Sequence, residues 1–217
     1  MKESKKRKEV NKLQEKEKDF EISLLEEQQD EGYKMPTVFS LYGDLDEEKA
    51  EQTVLDLFTA SEIYKQMKEK EEETQEVGEE RKASFIVSTM GGNVHDMFSI
   101  VDVLNHMKQY CTIETIGLGK VMSAGTGILM SGTKGLRKIG RNCRVMLHPV
   151  QSGAHGDTVN IKNEMKEVDK ITDLFVDLML EHTNMPEKEI KKYLNQDKNF
   201  YLSAEEAVEK GIADIII

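Results

Sequence analysis

The sequence predicts an α/β fold with crossover connections, on three observations. Short β-branched runs alternate with stretches of helical apolar spacing along most of the chain, several of those runs end on glycine, and the last third is dominated by one long amphipathic pattern. In sheets built this way ligands gather beyond the C-terminal ends of the strands, so the residues just past each run are the first candidates for a site.

The elements follow in order. Residues 1–34 are mostly Lys, Glu and Gln with scattered apolar positions (Val10, Leu13, Phe20, Ile22, Leu24, Leu25), and five of the first eight residues are basic, so this segment reads as a charged arm rather than core. Pro36 precedes the first strand, Thr37 to Tyr42, which stops at Gly43-Asp44. Asp46 is positioned to cap a helix to Lys68 whose apolar residues are Val54, Leu55, Leu57, Phe58, Ile63 and Tyr64. Lys68 to Lys82 is almost wholly charged or polar and reads as an exposed extension of that helix with a loop around Gly78.

Ala83 to Ser88 is the second strand, ending at Thr89-Met-Gly-Gly-Asn93, and a helix from about Asp96 to Gln109 carries it to a third strand, Thr112 to Leu118. A small-residue helix follows from Ser123 to about Ser131, then Gly132 and Gly135, then strands at Leu136–Ile139 and Arg144–His148. From Asp157 to about Thr183 apolar residues recur at three- and four-residue steps, which makes a helix of about seven turns. One domain core does not cover so long a stripe, so either a subunit interface or a long core helix is expected there. Pro186 opens a helix to Leu194, Phe200-Tyr-Leu is a short strand, and Ser203-Ala-Glu-Glu206 has the form of a capping box whose helix closes at Gly211 before Ile212 to Ile217.

The formal net charge of −11 over 217 residues argues against nucleic acid or an anionic membrane as the main partner. The basic start is followed by no apolar h-region and no apolar run approaches about 18 residues, so neither a signal peptide nor a membrane span is expected. Cys111 and Cys143 lack C-x-x-C spacing, and a cytoplasmic location and no metal or other cofactor are expected.

The chemistry concentrates at Gly117-Leu-Gly-Lys-Val-Met-Ser-Ala-Gly-Thr-Gly127, where a strand feeds a helix N-terminus with Ser123 at its entrance. Unpaired N–H groups and the positive end of a helix dipole suit a developing oxyanion. The same residues also suit a tight turn with a buried structural serine. Of the five histidines, His106 and His182 fall in helices, His95 and His155 lie near glycines and remain open, and His148 ends a strand before Pro149, at a cleft edge. The G-x-S-x-G elbow of α/β hydrolases is absent, since Val121 stands at its first glycine.

Taken together, Gly91-Gly92, Gly119-x-x-x-Ser123 with Gly125, Gly132-Thr-Lys-Gly135-x-Arg137, Asn142-x-Arg144-Val-Met-x-His148, His182-Thr183, Leu202-Ser-Ala-Glu-Glu-Ala207 and Gly211-Ile-x-Asp214 resemble the proteolytic subunit of the Clp proteases, the ClpP family. The resemblance runs from about Val38 to the C-terminus and excludes the first 34 residues and the stretch around Lys68 to Lys82. It implies a ClpP/crotonase-like fold of repeated β-β-α and βαβ units with a protruding handle helix, in a peptidase domain over 35–217 with an acidic insertion near 68–82. It further implies a serine endopeptidase acting on polypeptide substrates, self-assembled into heptameric rings stacked as a tetradecamer and fed by an ATP-driven AAA+ unfoldase. Ser123 matches the nucleophile, His148 the general base, and the backbone amides of Gly92 and Ala124 the oxyanion donors; Gln151 to Asp157 matches the segment that holds substrate backbone.

The third triad member departs from the family. Counting back from Ser203, the family aspartate falls on Asn199; counting forward from His148, it falls on Asp197. Asn199 is favoured because Phe200-Tyr-Leu-Ser-Ala adjoins it without a gap. An asparagine orients imidazole but supplies no charge to an imidazolium. Two other readings follow: a catalytically weak ring subunit that scaffolds or regulates an active partner, and a crotonase-type acyl-CoA enzyme, in which the Ser123/His148 pair has no role.

Overall fold

A computed structural model describes residues 37–75, 80–153, 155–196 and 198–217. The charged arm, the loop expected around Gly78 and Asp197 lie outside the described residues. Among those described, the elements run β1 (Val38–Tyr42), α1 (Glu47–Thr74), β2 (Lys82–Thr89), α2 (Val94–Met107), β3 (Thr112–Met122), α3 (Ala124–Met130), β4 (Lys138–Ile139), β5 (Arg144–Leu147), α4 (Thr158–His182), α5 (Glu187–Leu194), β6 (Phe200–Leu202), α6 (Ala204–Glu209) and β7 (Ile215–Ile216). The predicted α/β class and alternation are present.

One sheet organises them in the order β1-β2-β3-β4-β7, all parallel, while β5 pairs with β3 in parallel and with β6 in antiparallel. Its strands alternate faces: Ala83, Phe85 and Val87 of β2 are buried, whereas Ser84 and Ile86 are only partly covered. The core joins that inner face to Leu57 and Ala60 of α1, Met97, Ile100 and Leu104 of α2, and Ile128 and Leu129 of α3, all buried. Each large apolar side chain so buried contributes about 1.5–3 kcal/mol.

The helix starts follow the sequence. Asp46 accepts the N–H of Lys49 at 3.0 Å, Asp157 accepts those of Val159 and Asn160 at 2.9 and 3.0 Å, and Ser203 and Glu206 complete the capping box. The charged stretch beyond Lys68 does extend α1, to Thr74, where Gln75 in left-handed backbone closes it.

β3 departs from expectation. It runs to Met122 instead of ending at Leu118, so Gly117 and Gly119 lie inside the strand. Gly117 sits opposite Val87 and Val121 opposite Thr89, so four steps along β3 face two along β2. This bulge contains Gly119 at φ +66°, a conformation that favours glycine. Before it, Ile116 and Gly117 pair with β4; after it, Lys120 to Met122 pair with β5. The glycines therefore transfer the strand from one neighbour to another.

Two polar clusters tie the sheet. On its outer face the nearly buried Glu114 accepts from Lys82 at 2.7 Å, Lys138 at 2.6 Å and Ser84 at 3.0 Å. Burial alone raises that carboxyl, but the three hydrogen bonds outweigh it and bring the pKa down to about 2. At the C-terminal end Asp214 accepts from the backbone N–H groups of Gly135 and Arg137 and from the buried Arg137 guanidinium, whose Nη1 donates to the carbonyl of His182 at 2.6 Å.

α4 has two unlike halves. Ile171, Phe175, Val176, Leu178 and Met179 are buried, whereas Val159 and Met165 in its first half are 67% and 62% exposed. That first half has no core beneath it, as a protruding helix requires. No described helix is long and apolar enough to cross a membrane.

Candidate active site

Strand order fixes the order of the candidate residues along one edge of the sheet. Leu45 follows β1, Gly91-Gly92 follows β2, Ser123 follows β3 and His148 follows β5, so all four lie beyond the C-terminal ends of parallel strands. Asn199 immediately precedes β6. Because Leu147 pairs with Phe200, His148 and Asn199 are the residues just past the last paired position on the two strands.

Ser123 occupies a strained turn. Its φ is +53° and its ψ −121°, a region costing a non-glycine residue on the order of 1–3 kcal/mol. The turn is held by two hydrogen bonds: Ser123 N–H donates to the carbonyl of Met146 at 2.8 Å, and its own carbonyl accepts from Thr126 at 2.9 Å. The side chain caps no helix N–H and is half-buried, which leaves the hydroxyl available for other work. Ala124 opens α3, so its N–H has no intrahelical acceptor and lies beside the serine.

Gly91 and Gly92 have no room for side chains. A Cβ on Gly91 would stand 2.7 Å from that of Ser123, and one on Gly92 would stand 1.8 Å from the carbonyl oxygen of Leu45. The Gly91 carbonyl accepts from Leu45 N–H at 2.8 Å, on the β1 side. No cis peptide is present among the described residues, and the C=O and N–H of a trans peptide point in opposite directions. The N–H of Gly92 therefore turns from β1 toward β3, where Ser123 lies, and makes no hydrogen bond among the described residues.

The histidines separate by position. His95 is exposed in the first turn of α2, His106 stacks on Phe58 at 5.7 Å between ring centroids, His155 is exposed, and His182 ends α4 with its pKa lowered by burial and by Lys108. Of the histidines, only His148 follows a strand, β5, that pairs with the strand ending at Ser123. Its Nδ1 is buried and has no hydrogen-bond partner among the described residues. Asn199 is exposed and donates its amide to Tyr201 Oη at 3.5 Å instead. Asp197, the other candidate orienter, lies outside the described residues. Burial pushes the thiols of Cys111 and Cys143 up to about 11, so neither offers a thiolate nucleophile at neutral pH.

Comparison with known proteins places the chain in a family. The family model described as Clp protease matches residues 38–217. The chain belongs to the Clp protease family. Among curated relatives, the ATP-dependent Clp protease proteolytic subunit of Deinococcus radiodurans is 32% identical over 138 residues, 64% of this chain and 66% of the relative. The ATP-dependent Clp protease proteolytic subunit 1 of Prochlorococcus marinus (strain MIT 9312) is 32% identical over 131 residues, 60% and 65% respectively. The chain thus spans just under two thirds of each relative's length.

Within this member of the Clp protease family, two contributors to the candidate site carry no sequence signal as such. Leu45 and Met146 act through backbone groups, which carry no residue-type signal. Their only trace is position, each just past or within a strand whose neighbour ends in the site.

Proposed function

We propose that this Clp-family chain is a serine-type endopeptidase subunit, and the observation that carries the reading is the strained Ser123 at +53° packed against the side-chain-free Gly91. A nucleophile needs an exposed hydroxyl, a base beside it and donors aimed at the charge that develops. Ser123 Oγ attacks the scissile carbonyl and passes its proton to His148. The carbonyl oxygen, now anionic, is stabilised by the N–H groups of Gly92 and Ala124. Collapse expels the amine, protonated by His148, and leaves an acyl ester on Ser123. Water, deprotonated by His148, then attacks that ester, and the second intermediate collapses to the acid as His148 returns the proton to the departing Ser123 Oγ.

Asn199 is the proposed orienter, its Oδ1 accepting from His148 Nδ1–H. Lacking charge, it leaves the imidazolium less stabilised than an aspartate does, a loss of up to about 10⁴-fold in a comparable serine protease. The resulting activity is low, or depends on assembly. Substrates are unfolded polypeptides or peptides. Seven-membered rings stacked in pairs through the uncovered half of α4, with an ATP-driven unfoldase supplying chains, are the partners the family membership supports.

A second reading rests on one observation, the His148 Nδ1 with no partner among the described residues while Asn199 bonds Tyr201. On that reading the chain is a weak ring subunit that scaffolds an active one. Native mass and peptide hydrolysis measured on wild type and Ser123→Ala separate the two. The peptidase reading expects hydrolysis by a large ring assembly that disappears in Ser123→Ala; mixed rings whose hydrolysis survives Ser123→Ala favour the scaffold.

A further inference from the structure

We infer that Thr89 is a positioning residue for the oxyanion site, its hydroxyl fixing the Gly91–Gly92 peptide so that the Gly92 N–H faces Ser123; this rests on the peptidase reading above. The need for such a residue follows from the glycines. Gly91 is at φ +100° and a side chain there would collide with Ser123, so the position must be glycine. Glycine has no side chain to hold its own conformation, and rotation of the Gly91–Gly92 peptide is the soft motion of the loop. Turning that peptide over would send the Gly92 N–H toward β1 and present a carbonyl oxygen to the developing oxyanion.

Thr89 closes off that motion. It is fully buried at the end of β2, and its Oγ1 accepts the N–H of Gly91 at 3.0 Å while donating to the carbonyl of Gly91 at 3.3 Å. One hydroxyl thus holds both polar groups of the residue whose rotation aims the donor. Leu45 N–H, at 2.8 Å from the same carbonyl, supplies the outer anchor. The methyl of Thr89 does something separate. A Cβ on Gly125 would stand 2.4 Å from it, so it packs against the start of α3, directly behind Ser123. Hydroxyl and methyl can therefore be tested apart.

Thr89→Val keeps the methyl and removes the hydroxyl; Thr89→Ser does the reverse. Each is prepared as the full chain and compared with wild type by hydrolysis of a small fluorogenic peptide amide, by the rate at which a fluorophosphonate modifies Ser123, and by crystal structure. A donor used only as charge develops affects turnover more than binding. Thr89→Val is expected to lose at least tenfold in kcat and in phosphonylation rate with KM within threefold of wild type, and Thr89→Ser to restore both rates. Wild-type kcat in Thr89→Val, equal losses in the two variants, or a Thr89→Val crystal structure in which the Gly91 carbonyl still sits on Leu45 N–H would overturn the role. If wild type shows no reaction at Ser123, the peptidase reading fails, and the orientation of the peptide in the Thr89→Val crystal still decides the part played by Thr89.

Discussion

Ser123 donates its backbone N–H to the carbonyl of Met146 at 2.8 Å, two residues before His148. The bond links the end of β3 to β5, and so the proposed nucleophile to the strand that carries its proposed base. It exists because the Gly119 bulge releases β3 from β4 in time for Lys120 to Met122 to pair with β5.

Close approach at the glycines predicts two different penalties. Gly92→Ala forces a Cβ against the Leu45 carbonyl and should cost about 3 kcal/mol or more together with nearly all activity. Gly135→Ala meets a backbone problem instead, φ +90° with nothing within 4 Å, and should cost about 1–2 kcal/mol. Urea unfolding of both variants measures the difference.

Glu114 predicts an acid limb in the stability profile. The folded carboxyl keeps its charge down to about pH 2, whereas an ordinary glutamate protonates near 4.5. Between those values the unfolded chain binds the extra proton, so the contribution is complete above 4.5 and is lost as pH falls toward 2. Glu114→Gln should be less stable at pH 7 and should lose part of the slope below 4.5, as read by denaturant midpoints from pH 7 to pH 3.

How much of this was readable beforehand varied with the kind of signal. Asp46, Asp157 and Ser203 mark their helix starts because a cap needs a particular side chain at a particular place. The length of β3 was not readable, because a glycine that ends a strand and a glycine that bulges one look alike until the partner strands are known. Ser123, Gly92 and His148 stand out by position past a strand end, and the fold brings those ends together. Thr89 and Leu45 do not stand out, since one works through a common hydroxyl and the other through its backbone. Asn199 remains a matter of counting, as the residues around it follow no period.

Buried charge predicts a strong coupling at the chain's end. Arg137 is 1% exposed, and Arg137→Met would leave the Asp214 carboxylate without its guanidinium, costing about 3–5 kcal/mol. Pairing it with Asp214→Asn should recover a good part of the loss, giving a clear interaction energy in a double-mutant cycle of unfolding free energies.

The orienter can be tested by restoring charge. Asn199→Asp should preserve or raise kcat for peptide hydrolysis, and Asp197→Ala should be mild. An inactive Asp197→Ala protein of unchanged assembly mass would transfer the role to Asp197.

The most direct measurement is covalent labelling of the native assembly with a fluorophosphonate, the adduct located by peptide mass spectrometry. The peptidase reading predicts a single adduct on Ser123, absent in Ser123→Ala and much slower to form in His148→Ala. A well-assembled protein that takes no label, or takes it elsewhere, would contradict it.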